Sequence, residues 1–69
     1  MGMRELHSKA LSMRNEGKST EEIYAMIWRG AQELGMTAGH GDHSNFEIRL
    51  VQTGETISFS PSAGYSYNR

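Results

Sequence analysis

The chain has no cysteine, a single proline and no excess of either charge. Without cysteine there can be no disulfide and no thiolate metal site. Small secreted domains commonly depend on disulfides, so a reducing, cytoplasmic setting is expected. Seven basic residues against eight acidic ones give a formal charge of −1. Nucleic-acid binders draw most of their affinity from phosphate neutralisation, so this balance disfavours a nucleic-acid partner. The signs are not segregated along the chain either. No apolar run approaches the ~20 residues of a membrane span, and the opening MGMRELHSKA has no apolar signal core. A membrane role is not expected.

At 69 residues there is room for one small core. Its net stability should be only about 3–5 kcal/mol. Hydrophobic content is 36%, lean but too patterned for a disordered chain.

Met3, Leu6, Ala10 and Met13 recur at helical spacing and predict a helix from about Met3 to Asn15. Gly17 sits where a left-handed residue would end it. In KSTEEI, Ser19 is an N-cap with Glu22 at the third helical position, a capping box that opens a second helix running to Leu34. Its inner face is Ile23, Ile27, Gly30, Ala31 and Leu34. Tyr24 and Trp28 extend that face on one side and Met26 on the other. The resulting arc of about 200° is wider than one contact needs. Gly30 would let a neighbouring element approach closely.

GMTAGHGDHSN reads mostly as loop, with room for one extra short strand near Met36. Beyond it, Phe46, Ile48 and Leu50 alternate with Glu47, Arg49 and Val51, and Ile57 and Phe59 alternate with Thr56, Ser58 and Ser60. A two-residue turn at Thr53 and Gly54 would set Leu50 opposite Ile57 and Ile48 opposite Phe59. A four-residue loop of the same parity keeps the same faces. Pro61 ends the second strand, and residues 62–69 have the composition of a flexible tail. The expected architecture is α+β, two helices packed on a small antiparallel sheet, with residues 1–61 as the single domain.

His40, Asp42 and His43 are the residues most suited to chemistry. Histidine is a common zinc ligand, and His7 could supply a third. The plainer reading is a solvated polar loop with no metal and no cofactor, its glycines supplying tight turns. His7 itself, on the apolar side of helix one, reads as structural. The NEGKSTEEI junction is similar to the first turn of a helix-turn-helix. The second helix offers only Arg29 as a cation, however, and no recognition helix follows. Tyr65 and Tyr67 would suit base stacking, but only Arg69 lies near them in sequence.

The segment ELGMTAGHGDHSNFEIRLVQTGETISFSP resembles the core of the HicA-type toxins, small RNA-cleaving proteins with a fold like double-stranded-RNA-binding domains. Gly41, Asp42 and His43 fall at that family's Gly-Ser-His turn, and Gly54 at its later glycine turn. The resemblance implies a ribonuclease with His43 as the catalytic histidine. An imidazole titrating near neutrality suits proton transfer at a ribose 2′-hydroxyl.

The residues themselves point first to a different function, a non-enzymatic interaction module. Tyr24 and Trp28 on the overwide helix face are the expected partner-binding residues, for self-association or for a protein partner. Short, cysteine-free, charge-balanced chains of this kind resemble accessory proteins of phages and other mobile elements.

Overall fold

The computed structural model describes all 69 residues. Helix α1 spans Met3–Asn15 and α2 spans Thr20–Leu34; strands β1 (Thr37–Asp42), β2 (Asn45–Leu50), β3 (Thr56–Ser60) and β4 (Gly64–Asn68) follow. The strands form one antiparallel sheet in the order β1-β2-β3-β4. Both helices lie on the same face, α1 against β3 and β4 and α2 against β1 and β2. This is the α+β arrangement expected from the sequence.

Local signals set both helix boundaries. Gly17 adopts φ +84°, and the Lys18 N–H donates to the Met13 carbonyl at 3.0 Å, so α1 closes in a Schellman turn. Ser19 caps α2: its hydroxyl accepts from the Glu22 N–H at 3.1 Å, and the Glu22 carboxylate reaches back toward the Ser19 N–H at 3.5 Å. The helices touch at Gly30. A Cβ there would stand 2.4 Å from Leu6 Cδ2, so the close approach needs glycine.

One apolar cluster joins the two layers. Met3, Leu6 and Ala10 from α1 and Ile23, Ile27 and Ala31 from α2 are buried against Phe46, Ile48, Leu50, Ile57 and Tyr65 of the sheet. No polar or charged residue lies among the buried ones. Alternation then places His40, Asp42, Asn45, Glu47, Arg49, Thr56, Ser58, Ser60, Ser66 and Asn68 on the far face, which no other element covers.

Three sequence expectations are corrected. The β2–β3 register pairs Phe46 with Phe59 and Ile48 with Ile57, so Leu50 does not face Ile57. The connection is the four-residue loop, in which the Leu50 N–H donates to the Glu55 carbonyl at 2.8 Å. Val51 is therefore a loop residue, 48% exposed. Parity is kept, so Phe46, Ile48, Leu50, Ile57 and Phe59 stay on the core side.

The expected tail is instead β4. Pro61 begins a tight turn, Gly64 takes φ +73°, and Tyr65 and Tyr67 return opposite Phe59 and Ile57. The folded unit thus runs past residue 61, with Tyr65 buried in the core.

The extra strand near Met36 exists and is longer than expected. Strand β1 includes His40 and Asp42, so half of the supposed loop is sheet.

Candidate functional site

The two histidines that share a sequence motif do not share a site. Their shared neighbourhood is the β1–β2 hairpin, whose turn is Asp42-His43-Ser44-Asn45. His40, two strand pairs before the turn, is on the uncovered face and meets Glu47 directly across the ladder at 3.3 Å. His43 is at the turn itself and leans toward the start of α2. Its Nδ1 and the Thr20 hydroxyl share a hydrogen bond of 2.9 Å. Thr20 is the first residue of α2, so the capping box that fixes the helix start also fixes the partner of His43.

Asp42 is committed to the turn. Its Oδ1 accepts from the Ser44 hydroxyl at 2.6 Å and from the Ser44 N–H at 2.9 Å. These bonds hold its carboxyl below the ordinary aspartate range. Asp42 does not orient the His43 ring; Thr20 does. No three His, Asp or Glu side chains come together in a way that could hold a metal ion. His7 is far from both: it is half-buried on α1, with Nε2 3.1 Å from the Tyr65 carbonyl oxygen.

Tyr24 and Trp28 form a continuous rim beside β1. Tyr24 packs edge-on against Phe46, with ring centroids 4.9 Å apart. Trp28 lies over Gly39: a Cβ at that glycine would be 3.3 Å from the indole Cζ3. Both are half-buried. The width of the α2 apolar arc therefore has a structural source. The helix covers β2 with Ile23 and Ile27 and reaches over the edge strand β1 with its aromatic rim.

The edge strand itself is the feature that the sequence concealed. The Met36 carbonyl accepts from the Val51 N–H at 2.9 Å. In an antiparallel ladder, alternate residues direct both backbone groups to the same neighbour. Met36, Ala38, His40 and Asp42 thus face β2, while Thr37, Gly39 and Gly41 direct theirs outward. No side chain hydrogen-bonds to these outward groups. At the start of the strand, Met36 is 67% exposed, beside Val51 and Leu34, which are also exposed. The opposite edge is different: there His7 occupies the Tyr65 carbonyl, and Arg4 lies over the Tyr67 ring at 5.9 Å.

No family model, curated protein or solved structure gives a significant match to the chain. No helix is long and apolar enough to cross a membrane.

Proposed function

We propose that the chain is a small non-enzymatic interaction module that binds a protein partner along β1 and the Tyr24–Trp28 rim. One observation carries this reading: an unguarded strand edge lies directly beside a half-buried tryptophan. Unpaired N–H and C=O groups offer a template for strand addition. A neighbouring indole supplies the apolar anchor that such an interface needs. Lysine and proline, the usual guards of an edge, are absent from β1. Cytoplasmic location and an accessory role to a mobile element fit the small, cysteine-free chain and belong to the same proposal. The test is capture from the native host with wild-type and Trp28→Ala bait. The reading expects a partner retained by the wild type and lost by the variant at unchanged circular dichroism. Equal retention by both would remove the rim from the interface.

A rival reading, a HicA-like mRNA-cleaving toxin, draws support from the position of His43. Its ring is held by Thr20 at the hairpin turn, and Nε2 has no partner within the chain. Proton transfer at a ribose hydroxyl would need that nitrogen. Toxicity on expression, abolished by His43→Ala, would favour this reading over the interaction module.

A further inference from the structure

We propose that the partner of β1 is a second copy of this chain, paired antiparallel about a two-fold axis at Gly39. This inference rests on the interaction reading above and names its partner.

The register follows from three constraints. Residues directly opposite one another in an antiparallel pair share a face, so a symmetric pairing must be centred on a residue rather than between two. The outward backbone groups belong to Thr37, Gly39 and Gly41. Centring on Gly39 pairs Gly39 with its own copy, for about two new backbone hydrogen bonds, and Thr37 with the second copy's Gly41, for about four more where Gly41 turns at φ +96°. Centring on Ala38 or on His40 leaves about four.

The side chains agree with the same centre. On the uncovered face His40 stands across from Glu47, and Ala38 across from Arg49. Pairing about Gly39 sets His40 opposite the second copy's Ala38. Each row across the seam then reads Glu47, His40, Ala38 and Arg49, the last two from the second copy. Opposite charges flank every row, and the smallest side chain sits where Arg49 must reach toward His40. Symmetry repeats the row, so the surface complements itself.

On the helix face, Trp28 covers Gly39. The dyad therefore brings the two indoles to either side of one strand pair, with no Cβ between them. The exposed part of each ring gains an apolar neighbour. Strand β4 offers no equivalent, because His7 already holds the outward carbonyl of Tyr65.

The experiment combines sedimentation velocity with amide exchange on the wild-type chain. Sedimentation should show a monomer–dimer equilibrium. The Thr37 and Gly39 amides, which face open solvent in a monomer, should become protected as concentration rises. Ala38→Lys puts a cation against the second copy's His40, with Arg49 of its own chain behind it, and it should raise the dissociation constant at least about tenfold. Its side chain points to solvent in the monomer, and circular dichroism checks that the fold is kept. Gly39 is not a suitable target, since any Cβ there meets the Glu47 carbonyl at 2.7 Å. A wild-type monomer at every concentration overturns the proposal, as does a dimer that leaves the Thr37 and Gly39 amides unprotected. Either outcome leaves the broader interaction reading standing on its own test, Trp28-dependent capture of a different protein.

Discussion

Trp28 packs against a position that only glycine can fill. A Cβ on Gly39 would come within 3.3 Å of the indole and 2.7 Å of the Glu47 carbonyl. The ring is thus at once the cover of the edge strand and the exposed anchor beside it. Trp28→Ala should weaken association by at least about 2 kcal/mol, the scale of an interface hot spot. The monomer should stay folded, with a lower melting temperature, because Ile23, Ile27 and Ala31 still cover β2. Sedimentation and circular dichroism on the same samples separate the two effects. Complete unfolding would show that the indole is core, and the interface argument would go with it.

The helix pair makes a sharper prediction at Gly30. Replacing a mid-helix glycine by alanine gains up to about 1 kcal/mol in propensity. Here the new methyl would stand 2.4 Å from Leu6 Cδ2, on a side chain that is only 2% exposed. Overpacking of this kind costs about 1–3 kcal/mol, so Gly30→Ala should destabilise. In a Leu6→Val background, a milder loss of one CH2 worth about 0.8 kcal/mol, the δ carbons are gone, and the same change should stabilise. Denaturant midpoints of the four variants test this reversal of sign.

Much of this fold is written locally. The capping box at Ser19 and Glu22, the αL glycine at 17 and the 3.6-residue stripes lead directly to α1 and α2. Strand faces were legible from the alternation of Phe46, Ile48, Leu50, Ile57 and Phe59. Register was less so, because the β-branched Val51 prolongs the strand-like run while its backbone has already left the β2–β3 ladder. Strand β1 carries almost no pattern of its own: on its core side two of three residues are glycines, and the side chain that packs at Gly39 is Trp28, eleven positions away. Strand β4 had a signal, the period-two Tyr65 and Tyr67 after a Pro61–Gly64 turn, which serine, glycine and asparagine masked. The unguarded edge of β1 could not be read from sequence, since it depends on which strand ends up outermost.

Separation of the loop histidines bears on metal binding. His40 pairs with Glu47 on the open face, while His43 turns toward Thr20. Zinc needs three or four converging ligands. Isothermal titration should show no tight zinc binding, and a chelator should leave the melting curve unchanged. Submicromolar binding that is lost in His43→Ala would require the hairpin to rearrange and would make it the functional centre.

Strand β4 is tied down by a bond that acid should weaken. The Tyr67 hydroxyl donates to Glu55 Oε2 at 2.5 Å. That bond holds the Glu55 carboxyl below the ordinary glutamate range and raises the Tyr67 hydroxyl above the ordinary tyrosine range. A depressed carboxylate contributes stability above its unfolded pKa and loses it as pH falls through the folded value. A raised phenol contributes below its unfolded pKa and loses it as pH rises through the folded value. The chain should therefore be most stable between these two ranges. In Tyr67→Phe the Glu55 titration, followed by NMR of its side chain, should move up toward the ordinary value. An unmoved titration would mean that the bond is not formed in solution.

Ile57 is fully buried and stands directly across from Ile48. Removing it as Ile57→Ala should cost about 2–5 kcal/mol, as much as a core of this size provides, about 3–5 kcal/mol. The variant should be largely unfolded at 25 °C. Milder changes test the register itself. Ile48→Val and Ile57→Val each cost about 0.5–1.5 kcal/mol, so the chain should survive both. As facing neighbours they should be coupled by about 0.5 kcal/mol or more in a double-mutant cycle. Leu50 stands two residues along β2 from Ile48, so its coupling to Ile57 should be weaker. The same cycle with Leu50→Val and Ile57→Val measures it. Stronger coupling in the Leu50 pair would restore the two-residue turn at Thr53 and Gly54 and shift every contact that β3 makes with β2.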